Sequence, residues 1–242
     1  MRVIKLDAID STNEFLKQLS AAERLENFTI VTAENQTKGK GQMGSIWDSE
    51  AGKNLTMSIF LKDTVSDVNH IFTLNIAVAL AIYKALEILN IPALSIKWPN
   101  DIMSYNFKLG GILIENSLKG DGSIVSIVGI GLNVNQTSFD NLPKASSMAV
   151  VSKKLHSKDQ LLNLIVDNLK QTLSVLSSNP EILWDQYAEN LFKIGVPMPF
   201  KGGENKNFMG IIKGVSTSGK LQVQLENDAV AEYNIKEVQL LY

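Results

Sequence analysis

Four stretches of the chain combine charged, amide and glycine residues at spacings that could do chemistry. Thr37-Lys38-Gly39-Lys40-Gly41-Gln42-Met43-Gly44-Ser45-Ile46-Trp47 holds three glycines and two lysines. Glycines let backbone N–H groups close on an anion, and lysines add compensating charge. Taken alone, a surface loop with solvated lysines is the simpler reading. The stretch lacks the GxxxxGK[ST] order of a P-loop, so any phosphate binding must work another way. Ile96-Lys97-Trp98-Pro99-Asn100-Asp101-Ile102 ends a strand in proline and two turn-forming polar residues, which in isolation reads as a turn bonded to local backbone. Lys108-Leu109-Gly110-Gly111-Ile112-Leu113-Ile114-Glu115 sets a lysine ahead of a double glycine and an apolar strand. The missing side chains could open a slot for a flat ligand with Lys108 at its mouth, or mark a bulge beside a solvated lysine. Val128-Gly129-Ile130-Gly131-Leu132-Asn133-Val134-Asn135 repeats the glycine pattern, and two such strands side by side could form one pocket.

The elements that must position these residues can be read from pattern. Ser11 and Glu14 have capping-box spacing ahead of FLKQL, so the first helix is expected there. Phe28 to Thr32 and Leu55 to Leu61 carry strand composition and flank a long polar loop from Gln36 to Gly52. Further strands are expected over Leu94 to Trp98, Gly111 to Glu115 and Ile124 to Val134, separated by turn residues. Ser157 and Gln160 open a helix whose apolar face runs through 161, 162, 165, 169, 173 and 176, and another helix starts at Pro180. From Gly195 the texture changes to short β-type pieces, which predicts a large domain over 1–194 and a small β domain over 195–242.

Bulk composition narrows the function classes. With 23 basic and 25 acidic residues the formal charge is −2, so no overall cationic field favours nucleic acid. The absence of cysteine excludes a disulfide framework, a thiolate metal site and a cysteine nucleophile, and suits a reducing cytoplasm. No export signal is visible at the N-terminus. The apolar run from Ile71 to Leu89 contains Asn75, Lys84 and Glu87 and is expected to be a buried core helix rather than a membrane span.

The motifs taken together resemble the biotin protein ligase family over nearly the full length: STN at Ser11 to Asn13, GKGQMGSIW, KWPND at Lys97 to Asp101, KLGGILIE and GIGLNVN, in the family's order and approximate spacing. The resemblance implies an α+β fold, with a mixed-sheet, class II synthetase-like catalytic domain and a small C-terminal SH3-like barrel. It implies an ATP-dependent, AMP-forming ligase: the biotin carboxylate attacks the α-phosphorus of ATP, and a lysine of a biotin carboxyl carrier protein then displaces AMP. Magnesium is expected with the ATP. Ser11, Thr12, Asn13 and Gln36 are implied as polar biotin contacts, with Gly39, Lys40, Gly41, Gln42 and Lys108 beside them and Gly111, Leu113, Gly129, Gly131 and Leu132 lining the bicycle. Lys40, Gln42, Trp47, Asn100, Lys108 and Asn133 are implied around ATP or the adenylate. Lys108 and Lys40 would stabilise developing charge, and Asp101 would orient or deprotonate the carrier lysine. The position of STN implies a form without the N-terminal DNA-binding domain, and so no role as a repressor.

One departure from the family stands out. Its loop commonly reads glycine, arginine, glycine, arginine, where this chain has Gly39-Lys40-Gly41-Gln42 and Ser45 at another commonly basic position. Lysine keeps charge without the bidentate fork, and glutamine carries no charge, so weaker retention of the adenylate is expected. A lipoate protein ligase and a non-catalytic biotin-binding module are the alternatives.

Overall fold

The computed structural model describes residues 1–64, 71–140, 142–203 and 206–242. A mixed sheet is built from β1 (Arg2–Ile9), β2 (Thr29–Gln36), β3 (Leu55–Lys62), β4 (Leu94–Lys97), β5 (Asp101–Ser104), β6 (Phe107–Leu118) and β7 (Ile124–Leu132) in the order β1-β2-β3-β7-β6-β5-β4. β1 and β2 are parallel and every other neighbouring pair is antiparallel.

Helices cover both faces. Helix α1 (Thr12–Ala22) is capped by Ser11, whose hydroxyl accepts from Glu14 N, and buries Leu16 against Val31, Phe60, Val125 and Ile127. On the other face lie α2 (Ile71–Ile88), α4 (Lys158–Ser178) and α5 (Pro180–Glu189), over a core that includes Met57, Ile59, Ile112, Ile130 and Leu132. Helix α2 is apolar on nearly every side because it is packed between the sheet and α4 and α5, and burial from Thr73 to Ile82 is continuous. The expected core helix is therefore observed.

Three elements differ from expectation. Strand β1 was not anticipated, because as an edge strand it is exposed along much of its length and shows no apolar run. Asp101 opens strand β5 instead of closing a turn, and β6 begins at Phe107, so Lys108 and Gly110 also lie within the sheet. A short helix, α3 (Met148–Ser152), follows the N-cap Ser147.

The C-terminal segment forms an antiparallel sheet of β8 (Pro197–Lys201), β9 (Asn207–Val215), β10 (Leu221–Leu225), β11 (Val230–Tyr233) and β12 (Gln239–Leu240), ordered β11-β10-β9-β8-β12. Its buried Phe200, Ile212, Leu221 and Val223 continue the core of the large sheet. Trp98 Nε1 donates to Gly219 O at 2.9 Å, tying the end of β4 to the β9–β10 turn.

Candidate active site

Strand register sets the floor of a cavity. One row across the sheet runs Thr56, Gly131, Gly111, Asp101, Lys97, and the next useful row runs Ser58, Gly129, Leu113. Paired residues share a face, and successive residues alternate. The glycines therefore leave a shallow notch on the α1 face. Leu132 corrects one expectation: its side chain is completely buried in the core on the opposite face, because period-two alternation cannot place both Gly131 and Leu132 on one side.

A polar cluster borders the notch. Gln36 Oε1 accepts from Thr12 N at 2.8 Å and from Thr12 Oγ1 at 3.0 Å. The fully buried Ser58 hydroxyl lies 2.7 Å from Thr12 Oγ1 and 2.6 Å from Asn13 Oδ1, with one proton to serve either. Asn13 Nδ2 donates to Glu115 Oε2 at 2.9 Å. Any Cβ at Gly129 would collide with the Asn13 amide, so the glycine makes room for that side chain. Ser58 and Glu115 were missed by sequence reasoning, since only register brings them to STN.

The charged end is organised by Asp101. Its Oδ1 lies 2.6 Å from Lys108 Nζ and its Oδ2 accepts from Lys97 Nζ at 3.2 Å. The ring of Tyr242 takes Lys144 at 4.0 Å and Lys97 at 5.6 Å, and burial, with Asp101 nearby, raises the Tyr242 phenol above its usual pKa. Asn100 is held to the sheet by a bond from its Nδ2 to Ile112 O and another from Ile112 N to its own carbonyl.

The glycine-bearing loop closes over this floor. At its base Asp10 accepts from Thr37 Oγ1 at 2.6 Å and from Lys38 Nζ at 2.8 Å. These bonds, Lys38's first, hold the Asp10 carboxyl below its usual pKa and raise Lys38. Gly41 N donates to Ser45 O at 2.8 Å and Trp47 N to Gly39 O at 2.9 Å. A Cβ at Gly39 would strike the Trp47 carbonyl. The Trp47 ring lies on Gly131, 6.0 Å from Lys108 Nζ, and its buried Nε1 has no hydrogen-bond partner among the described residues.

The cavity holds about 280 Å³, near the lower end of ligand pockets, which run from ~300 to ~1,000 Å³. Ser11, Thr12, Asn13, Gln36, Lys40, Gly41, Gln42, Trp47, Asn100, Lys108, Gly111, Leu113, Gly129 and Gly131 line it together. Gly39, Asp101, Leu132 and Asn133 do not line it; Asp101 acts on it through Lys108. Asn133 is buried, and its Nδ2 donates to Ser146 O at 3.0 Å. Ile235 and Lys236, in the turn between β11 and β12, also line the cavity and carry no local motif that could have announced them. Among the described residues no group of three His, Cys, Asp or Glu side chains could hold a metal ion.

A family model described as the biotin/lipoate A/B protein ligase family matches residues 6–135. The bifunctional ligase/repressor BirA of Escherichia coli (strain K12) is 32% identical over 233 residues, 94% of this chain and 70% of that protein. The biotin--[acetyl-CoA-carboxylase] ligase of Mycobacterium tuberculosis is 25% identical over 218 residues, 87% of this chain and 79% of that protein. The solved structure of biotin protein ligase from Aquifex aeolicus in complex with biotin and ATP has the same fold, with a TM-score of 0.82 at 24% identity over 99% of this chain and 98% of that one. The glycine-bearing strands β6 and β7 and the capped STN helix lie within the matched residues, and the chain belongs to the biotin/lipoate A/B protein ligase family.

Proposed function

We propose that the protein is a biotin protein ligase, which activates biotin with ATP and transfers it to a lysine of a biotin carboxyl carrier protein. The single observation that carries the chemistry is Lys108: its ammonium stands at the cavity wall, 2.6 Å from Asp101, at the edge of a floor cleared by Gly111 and Gly131. The Mycobacterium tuberculosis relative is named as a biotin--[acetyl-CoA-carboxylase] ligase and the Aquifex aeolicus structure as a biotin protein ligase, so the lipoate alternative has less support.

The ureido edge of biotin needs donors and acceptors, which Ser11, Thr12, Asn13 and Gln36 supply, and its bicycle needs an open apolar floor. In the first step a carboxylate oxygen bonds to the α-phosphorus and pyrophosphate leaves. Both reactants are anions, so the enzyme's work is charge neutralisation and alignment. Lys108 and Lys40 supply the charge, and Trp47 with its loop excludes water from the mixed anhydride. In the second step a carrier amine attacks the acyl carbon and AMP leaves. The amine must first lose a proton, and Asp101 orients the amine or takes that proton. Asn100 and Gln42 belong to the nucleotide end. With its Nδ2 engaged by Ser146, Asn133 has its Oδ1 to offer the metal ion that accompanies the phosphates. Magnesium needs no all-protein cage, because it binds largely through substrate phosphates and water, and here it would enter with ATP.

The ligase domain is assigned to 1–194 and the C-terminal β domain to 195–242, and the cysteine-free composition suits cytoplasmic work. The test is mass spectrometry of a biotin carboxyl carrier domain incubated with this protein, biotin and ATP. One biotinyl group on one lysine, dependent on ATP, is expected. An unmodified carrier, or lipoyl transfer in preference to biotin, overturns the assignment.

A further inference from the structure

The turn between β11 and β12 reaches into the cavity. Asn234 donates through its backbone N and its Nδ2 to the two carboxylate oxygens of Glu237, at 2.6 and 2.9 Å, and Glu237 N donates to Asn234 O at 3.1 Å. The central residues of this pinned turn, Ile235 and Lys236, both line the cavity. Lys236 Nζ donates to Met43 O at 2.9 Å, at the tip of the glycine-bearing loop. Both residues joined by that bond hold left-handed backbone, with φ of 72° at Lys236 and 53° at Met43. Such conformations in non-glycine residues are uncommon and often mark functional turns.

Charge distinguishes Lys236 from the other lysines of the wall. Lys40 lies 3.5 Å from Glu14 and Lys108 lies 2.6 Å from Asp101, whereas Lys236 makes no ion pair with any described residue. Among the described residues no aspartate or glutamate lines the cavity. The neighbouring loop residue, Gln42, is neutral. A cation held only by a carbonyl, facing a space without carboxylates, suits an anionic ligand.

We propose that Lys236 is an adenylate-binding residue supplied by the C-terminal sheet: it holds the 39–47 loop over the cavity and contributes the positive charge that Gln42 does not. The proposal rests on the biotin ligase reading. It makes the small β domain a working part of the nucleotide site.

The test follows release of preformed biotinyl-adenylate from the full chain and from Lys236→Met, Lys236→Arg, Gln42→Arg and the Lys236→Met/Gln42→Arg double variant. Lys236→Met is expected to speed release about tenfold, the loss of one charge-assisted contact, with melting temperature unchanged. Lys236→Arg keeps slow release, and Gln42→Arg restores it in the Lys236→Met background. In the unaltered protein release quickens with salt, and in Lys236→Met that dependence flattens, a readout that also covers a variant with poor folding yield. Release from Lys236→Met at the unaltered rate, or no rescue by Gln42→Arg, overturns the proposal. Failure of the unaltered protein to form any biotinyl-adenylate from biotin and ATP would instead overturn the ligase reading beneath it.

Discussion

Gly111 faces Gly131 directly across the β6–β7 ladder, and the two positions would tolerate a methyl group very differently. A Cβ at Gly111 finds its nearest neighbour, Lys108 Nζ, at 3.4 Å, an ordinary contact. A Cβ at Gly131 comes to 2.5 Å from the Trp47 ring. Gly111→Ala should therefore fold with nearly unchanged stability and weaken biotin binding about tenfold, because the methyl fills ligand space. Gly131→Ala should also displace Trp47. Calorimetric biotin titration with tryptophan fluorescence separates the two, and equal effects on both signals would contradict the placement of Trp47.

Lys108 and Lys97 both touch Asp101, yet only Lys108 lines the cavity. Lys108→Ala should lower biotin-dependent exchange of pyrophosphate into ATP about a hundredfold or more, by analogy with removing one preorganised charge from a transition state. Lys97→Ala should cost much less in that assay, since its ammonium stands outside the cavity. Exchange rates at saturating biotin decide it, and a Lys97→Ala defect equal to that of Lys108→Ala would remove the distinction.

Legibility in the sequence tracked the range of the interactions. The Ser11 cap spans three residues and was visible as a pattern, as was the glycine content of β6 and β7. That the glycines meet is a property of register, which pattern could suggest and only pairing could settle. Ser58 reaches Asn13 across 45 positions and Lys236 reaches Met43 across 193, and no local signal encodes either. Strand β1 was hidden because an exposed edge strand joins by backbone bonds rather than by an apolar face. Leu132 shows the opposite case, because alternation divides its motif between two faces and sends its side chain into the core.

His156 gives a pH dependence. Its Nε2 lies 2.8 Å from Ser152 Oγ, and its backbone N and O bond the Asn135 amide, which fastens the chain just beyond the GIGLNVN strand. Burial first, and the charge of Lys154 second, hold the imidazole pKa below its usual 6.5. The folded state therefore binds fewer protons than the unfolded state once pH drops below that value. Stability should be level above about pH 7 and fall as pH drops below ~6.5, with a slope of at most ~1.4 kcal/mol per pH unit for one proton. Urea unfolding across this range is the measurement, and His156→Gln should remove that part of the slope. A slope unchanged in the variant would assign the effect to other groups.

Gln42 lines the cavity without bringing charge, and on the biotin ligase reading an arginine there would offer the phosphates a planar fork. The loop around it is already shaped by Gly41 N to Ser45 O and by Ser45 N and Oγ to Gln42 O, bonds made by the backbone and by Ser45 rather than by the Gln42 side chain. Gln42→Arg should thus leave the loop intact and slow biotinyl-adenylate release several-fold, about 1 kcal/mol for an added charge-assisted contact in a partly exposed site. Stronger retention need not raise turnover, because an intermediate held more tightly is also transferred against a deeper ground state. Release rates and carrier biotinylation rates measured on the same preparations separate these effects. Identical release from the two proteins would mean that the charge at position 42 does not reach the adenylate.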